Sequence, residues 1–460
     1  MISKFNINKV FILFMFSHLI LWTLVPSITN INLPLDTIEA LAWASNLEWG
    51  YTKHPPLSAL MVGLIYYVFG SIDWAYYLLS QIFILISFFY VWKLSKEFFS
   101  DNLFPLLSVL ILESIVFFNY TSPEFNVYVC QLPFKAITVY FFWRGINHSK
   151  LKDWLLTGFF SAMGLLTHYS FLFLIISLLI FFLFFAKKTK KNMINFFLSL
   201  IIFLLIFAPH LFWLYDNNFN TISYALDRTG VDNKNLIDHI FNPVIFLLKQ
   251  TGIMLLFFLT FLSVYSFKKK RIHLKKMNQK KWFLISISII PFILVFIISM
   301  ITGAKIRTMW MSSFYLFNGL VLIYFLRKKI ELKKIKNFLI IIIFIFFLSP
   351  ITYTYISLSN DFKRTDYPGK EISRLVQNKW DQNFSSEIKI VIGDEWHAGN
   401  LSYHLPSRPV WMSELNQKNV SDDNILEGVI YTGNPKVLKK LCPGVYGTIK
   451  PVGYCMIGRK

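Results

Sequence analysis

Twelve apolar stretches recur along this chain, at 10–28, 57–69, 74–92, 103–118, 125–143, 154–167, 169–186, 194–214, 243–267, 282–301, 307–326 and 337–357. Most approach the ~20 residues that a helix needs to cross a hydrocarbon core of ~30 Å. Lipid offers no partner for backbone N–H and C=O groups, so segments of this kind fold as helices that satisfy themselves. The pattern therefore predicts an all-α polytopic membrane protein and excludes a soluble enzyme. A net charge of +21 would point to nucleic acid in a soluble chain, but here the charge sits in the loops between apolar stretches.

Those loops set the orientation. Basic residues cluster at Lys4/Lys9, Lys93/Lys96, Arg144–Lys152, Lys187–Lys191, Lys268–Lys281 and Arg327–Lys336, whereas the intervening short loops carry only Lys53, Arg228, Lys234, Lys305 and Arg307. The basic clusters belong on the cytoplasmic side. The run KKKRIHLKK at 268–276 reads as a stop-transfer anchor on anionic lipid rather than a nucleic-acid patch. Stretch 57–69 is short for a crossing and fits a juxtamembrane or re-entrant helix, which leaves eleven spans; if it crosses, the number rises to about thirteen. The N-terminal stretch is followed directly by Pro26 and lacks a small-residue cleavage site, so it reads as a retained first span.

Composition shifts after Leu358. Residues 1–358 form the membrane part, with a first outer loop at 29–56, and residues 359–460 read as a small soluble α/β domain on the outer face. Strand-like runs at Ile388–Ile392 and Val429–Tyr431 flank a helical stretch around Ala398–Tyr403. Cys442 and Cys455 fall in this part, and their spacing alone does not decide whether they are bridged.

The first outer loop is unusually rich in chemistry. Leu35–Leu57 reads LDTIEALAWASNLEWGYTKHPPL, with Asp36 and Glu39 at i, i+3 on one helix face. Trp43, Trp49 and Tyr51 follow, then Lys53 and His54 against Pro55 and Pro56, which stop a helix and force an extended approach to the next segment. An aromatic belt at headgroup depth accounts for the rings but not for the carboxylate pair. With the topology above, further polar residues gather on the same side: Glu124 and Asn126, His168 and Tyr169, the loop 215–241 with Asp216, Asp227, Arg228, Asp232, Lys234, Asp238 and His239, and Lys305 with Arg307. Ionisable groups at membrane depth are costly, so their convergence on one face points to a site.

D-x-x-E followed by W-G-Y-x-K-H-P-P-L resembles the first periplasmic loop of the GT-C glycosyltransferases related to protein O-mannosyltransferases and the aminoarabinose transferase of lipid A. The likeness is strongest to bacterial members that modify lipopolysaccharide from polyprenyl-phosphate sugars. It continues through Trp74–Gln81, Thr121–Asn126, Gly164–Tyr169, Ala208–Trp213, Tyr224–Arg228 and Thr302–Trp310. Two departures stand out: Lys53-His54 replaces an acidic residue followed by Lys, and His168-Tyr169 replaces Lys-Tyr.

The resemblance implies a multi-pass enzyme of the bacterial inner membrane, its active site facing the periplasm. It would move a sugar, with inversion, from a polyprenyl phosphate to lipid A or lipopolysaccharide core. Such a donor carries its own leaving group, in keeping with the lack of a Gly-rich phosphate loop. Asp36 is the candidate general base and Glu39 its orienting partner. Lys53, His54, His168, Lys305 and Arg307 are candidates for the donor phosphate. Trp49, Tyr51, Glu124, Tyr169, Asp227 and Arg228 are candidates for substrate contact. Competing readings make Asp36 the N-cap of a helix starting at Thr37, Lys305 and Arg307 snorkelling anchors, and His168 a buried hydrogen-bonded residue. No cofactor and no metal is expected to be required, since His54, His168 and His210 are dispersed and His397 and His404 fall in the outer part, though a divalent ion stays open. The lipid bilayer is a partner and nucleic acid is not. Protein O-glycosylation is the alternative within the class, and a transporter or lipid flippase the alternative outside it, although no repeated halves are evident.

Overall fold

The computed structural model describes residues 6–230, 235–267, 277–360, 363–413 and 428–460. The basic run 268–276, together with Lys4, Asp232 and Lys234, lies outside the described residues. All twelve apolar stretches fall on helices. They are α1 (Ile7–Thr29), α3 (Leu57–Phe69), α4 (Asp73–Phe98), α5 (Leu103–Leu110), α6 (Val127–His148), α7 (Leu151–Leu165), α8 (Phe171–Phe184), α9 (Lys190–Asp216), α11 (Asp238–Leu262), α12 (Gln279–Thr302), α13 (Asn318–Leu326) and α14 (Ile335–Ser359). Two more helices, α2 (Leu35–Trp43) and α10 (Asn220–Thr229), lie in the loops that carry chemistry. Among the described residues seven helices are long and apolar enough to cross a membrane, counting 308–329 as one, and three apolar helices are shorter.

Local sequence explains where the spans begin. Side chains of Asn6, Asn126, Thr189 and Asn278 accept N–H groups of the first turns of α1, α6, α9 and α12, which otherwise have no partner. Helix α5 tightens into a 3-10 turn at Ile111–Ser114, where Glu113 meets His18 of α1 at 3.2 Å with both side chains fully buried.

Helix α3 is one of the three shorter apolar helices. Its thirteen residues extend only ~20 Å, and both of its ends meet the C-terminal region. Near its start Lys53 reaches Glu395 at 3.0 Å, and Ala59 packs in a cluster that includes Trp411. Near its end Arg408 lies 4.3 Å above the Tyr66 ring, and Tyr403 donates to Asp73 at 2.8 Å. Both ends of α3 thus meet the same region, and α4, unlike α3, is long and apolar enough to cross a membrane.

After Asn360 come α15 (Gly369–Asp381), β1 (Ile390–Ile392), α16 (His397–His404), β2 (Val410–Met412), β3 (Val429–Gly433), α17 (Pro435–Leu441), β4 (Val445–Ile449) and β5 (Val452–Ile457). The strands form one sheet in the order β2-β1-β3-β5-β4, parallel across β2, β1 and β3 and antiparallel across β3, β5 and β4. Its core gathers Ile372, Val376, Trp380, Val391, Leu401, Ile430 and Met456. Cys442 and Cys455 are disulfide-bonded. The region seats on α2 at Gly399, where an added Cβ would lie 3.1 Å from that of Ala42. Asn400 accepts from Asn32 at 2.8 Å, and the Trp411 N–H donates to Ser45 at 2.7 Å.

This arrangement makes a direct prediction. The only free cysteine among the described residues, Cys130, is buried, so background labelling is low. Single cysteines at Met277, beside the basic run, and at Gln382, in the C-terminal region, should react with an impermeant maleimide from opposite sides. Labelling of both from one side refutes the orientation.

Candidate active site

A cavity of about 740 Å³ opens beneath the C-terminal region. Its walls come from α2, the turn before α6, the break between α7 and α8, α10, the segment after α12, and Arg364 just beyond α14. Hydrogen bonds between distant parts of the chain hold these walls together. The Asp36 N–H donates to Glu124 Oε1 at 3.1 Å, and Thr37 donates to the Phe125 carbonyl, tying α2 to the turn before α6. The Leu57 N–H, just after the double proline, donates to the Leu166 carbonyl in the α7–α8 break. Gly303 ends α12 in the left-handed region at φ 66°, which turns the chain so that Ile306 and Arg307 face the cavity. The backbone around Arg364 is fixed because the N–H groups of Ile31 and Asn32 both donate to the Thr365 carbonyl, at 3.0 and 2.9 Å.

Nine of the thirteen side chains singled out above line this cavity: Asp36, Glu39, Lys53, His54, Glu124, His168, Tyr169, Arg228 and Arg307. Four do not, for identifiable reasons. Trp49 projects outward and is half exposed, while its carbonyl accepts from His210 Nδ1 at 2.6 Å. Tyr51 stacks on Trp43 at 5.3 Å and gives its hydroxyl to the backbone of the same loop. Between them Gly50 has no room for a side chain, since a Cβ would fall 2.3 Å from the Trp213 ring. The W-G-Y sequence thus bolts the outer loop to the end of α9. Asp227 lies on the exposed face of α10, and Lys305 is exposed beyond the cavity wall.

Asp36 is not an N-cap. Helix α2 begins at Leu35 with Pro34 in the cap position, so Asp36 sits within the first turn with its side chain at the cavity. Asp36, Glu39 and Glu124 form a cluster of acids at the cavity, Glu39 buried and the other two partly buried. Burial raises Asp36 above the ordinary carboxylate range, opposed by the charges of Lys53 and Arg364. Burial pushes Glu39 up to about 7, with Lys53 opposing. Glu124 rises to about 8, through burial first and the Asp36 charge second.

The cations divide into two kinds. Lys53 is held between Glu39 at 2.5 Å and Glu395 at 3.0 Å. Burial would lower its pKa, but the two carboxylates outweigh it and keep Lys53 above its ordinary value. Its charge is thereby neutralised, so it acts here as a bridge between α2 and the C-terminal region. Arg228, Arg307 and Arg364 reach the same cavity, and no carboxylate among the described residues is within ion-pair distance of them.

The histidines are neutral. Burial, then the charges of His168 and Lys53, holds His54 well below its ordinary value, and burial followed by Lys135 lowers His168 to about 3. The Ser170 N–H donates to His168 Nδ1 at 3.1 Å, which assigns the ring proton to Nε2. Both rings can meet a ligand by hydrogen bonding, not by charge. Tyr169 donates its hydroxyl to His210 Nε2 at 2.8 Å. No group of three or more His, Cys, Asp or Glu side chains among the described residues is arranged to hold a metal.

Sequence reasoning missed Arg364, together with Tyr128 and Tyr224 of the lining. No local pattern marks Arg364, which joins the site only because the chain returns to α2 after its last span. Glu395, the second partner of Lys53, is likewise distant in sequence.

Residues 53–213 match the family described as dolichyl-phosphate-mannose-protein mannosyltransferase. The crystal structure of ArnT from Cupriavidus metallidurans in the apo state superposes with a TM-score of 0.67 at 10% identity, covering 97% of this chain and 98% of that one. The same protein bound to undecaprenyl phosphate gives 0.63 at 10% identity, with 97% of each chain covered. A search of curated proteins finds no match to the sequence. The superposition shows that this chain shares the fold of ArnT, and residues 53–213 are similar to the mannosyltransferase family.

Proposed function

We propose that this protein transfers a sugar from a polyprenyl phosphate to a hydroxyl of lipid A or lipopolysaccharide core, at the periplasmic face of a bacterial inner membrane. The observation that carries the reading is a cavity with an acid cluster on one wall and three arginines on others. The likeness to ArnT, solved with undecaprenyl phosphate, supports the donor class.

In this mechanism Asp36 takes the proton of the acceptor hydroxyl as its oxygen attacks the anomeric carbon. The bond from that carbon to the phosphate oxygen breaks on the opposite side, so configuration inverts. The departing phosphate monoester gains charge, which Arg228, Arg307 and Arg364 are placed to balance. A raised Asp36 pKa makes its carboxylate a stronger base. Glu124 fixes the Asp36 backbone through its hydrogen bond, and Glu39 with Lys53 orients α2 against the C-terminal region.

The acceptor is tested by mass spectrometry of lipid A and core from cells with and without the gene. A loss of one sugar mass from the lipid is expected. Unchanged lipid with a sugar missing from a protein instead moves the reading to protein O-glycosylation.

The acid cluster also predicts a pH dependence. The base must be ionised, so transfer falls as pH drops through the raised Asp36 pKa. Glu124, raised to about 8, is already protonated across this limb, and in Glu124→Gln the amide oxygen still accepts the Asp36 N–H, so the acid limb of the pH–rate profile should stay in place. Stability, by contrast, responds. A carboxyl raised to about 8 contributes stability that is complete below its unfolded pKa and lost as pH rises through that value. Above about pH 8, Glu124→Gln should therefore melt at a higher temperature than wild type. An acid limb displaced to lower pH would mean that Glu124 is ionised there, against its raised pKa.

A further inference from the structure

Two imidazoles and two aromatic rings stand together in the cavity. His54, in the loop before α3, and His168, in the α7–α8 break, line it with ring centroids 5.3 Å apart. The Trp43 ring lies 5.8 Å from that of His54, and the Tyr128 ring 5.0 Å from that of His168. Both imidazoles are neutral, as their burial dictates. The arginines come from elsewhere in the chain: Arg228 from α10, Arg307 from the segment after α12, and Arg364 from the stretch after α14. Hydrogen-bonding capacity distinguishes the two groups further. The Ser170 N–H donates to His168 Nδ1 at 3.1 Å, and Gln131 donates to the His168 carbonyl at 2.9 Å, so the Nε2–H is held in place as a donor. The His54 ring nitrogens have no hydrogen-bond partner among the described residues, which leaves one donor and one acceptor open. An ionised phosphate accepts hydrogen bonds and gives none, so it cannot serve the bare nitrogen of His54. A sugar hydroxyl both donates and accepts.

We propose that His54 and His168, with Trp43 and Tyr128 beside them, form the subsite for the hydroxyl-bearing ring of the sugar, while the phosphate lies with the arginines. This rests on the polyprenyl-phosphate reading above, and it reverses the role that the sequence suggests for the two histidines. A cavity of about 740 Å³ has room for both groups. The aromatic rings supply apolar surface and the imidazoles a few fixed polar atoms, the usual make-up of a pocket that orients an uncharged ligand group. Guanidinium groups, with their planar fork of donors, suit the phosphate.

The test measures binding of bare undecaprenyl phosphate, and of undecaprenyl phosphate bearing glucose, mannose or aminoarabinose, to the full-length protein in nanodiscs. Wild type should bind at least one loaded lipid about fivefold or more tightly than the bare one, the scale of one or two net hydrogen bonds. His54→Phe and His168→Phe, which keep a ring and remove its hydrogen bonds, should erase that gain and leave the affinity for the bare lipid unchanged. His168→Gln, whose amide keeps a donor and an acceptor and cannot take up a proton, should retain most of the gain. Equal loss for bare and loaded lipids in the Phe variants makes the histidines a phosphate cradle and overturns the proposal, as does a gain that survives both substitutions or is missing from wild type. Should the Phe variants fail to fold, a folded His168→Gln that loses affinity for the bare lipid overturns it equally. A wild-type protein that binds none of these lipids would instead refute the donor reading itself, and this inference with it.

Discussion

Asp36→Asn should reduce sugar transfer by ~10²–10⁴, the range in which a positioned general base contributes, while leaving a folded, membrane-inserted protein. The substitution separates chemistry from structure because the interactions that hold residue 36 are made by its backbone. Its N–H donates to Glu124, and α2 begins one residue earlier, after Pro34. Neither depends on the carboxylate. Asparagine is also nearly isosteric, so the cavity keeps its shape, but it cannot accept a proton. Removing an acid whose pKa is raised by burial relieves a desolvation cost, so the variant should be no less stable than wild type near neutral pH. Transfer from a purified polyprenyl-phosphate sugar, compared at equal protein level, checks this. Near-wild-type transfer removes Asp36 as the base and leaves Glu124 and Glu39 as the remaining acids of the cavity.

The membrane scaffold was legible because its signal is local. Apolar length and the alternation of basic loops decide each span without reference to any other. Even the shortness of α3 could be read from its apolar run, which the structure shows as a helix of thirteen residues. In the C-terminal region β1, β3 and α16 fell on the runs that predicted them, whereas β2, β4 and β5 were not foreseen. Those three are short or follow glycine-rich turns, so pairing rather than pattern defines them.

The site was legible only where a residue's position along the chain coincides with the outer ends of the spans. That rule found Asp36, Glu124, His168 and Arg307. It failed for Trp49 and Tyr51, where an aromatic cluster in a loop resembles a binding platform but serves to fasten the loop to α9. Charge state was less visible still. Lys53, His54 and His168 look like phosphate-binding cations in the sequence. Burial makes the histidines neutral, and two carboxylates neutralise Lys53. The cations that remain are three exposed arginines at the cavity, with no carboxylate among the described residues paired to them. Arg364 among them comes from a part of the chain that only folding brings to the cavity.

That division of charge makes Arg307 the second large effect. Arg307→Ala should lower transfer by ~10²–10³, the cost of removing one donor aimed at charge that develops in the transition state. Lys305→Ala, two residues away, should leave transfer close to wild type. The segment between them explains the contrast. Asn242 donates to the Gly303 carbonyl at 2.7 Å and Ser299 to the Ala304 carbonyl at 2.8 Å, which fixes the backbone as it leaves α12. From there Ile306 and Arg307 face the cavity while Lys305 stays outside it. Lys305 therefore suits the role of a snorkelling anchor, and Arg307 does not. Arg307→Lys should recover only part of the loss, because an ammonium keeps the charge without the planar fork that matches a phosphate. A leaving-group role requires that Arg307→Ala lower kcat more than it raises KM for the donor, since the interaction strengthens as the phosphate departs. Equal loss in the Lys305 and Arg307 variants would mean that the loop acts as one membrane anchor, and the phosphate would then have to be balanced by Arg228 and Arg364 alone.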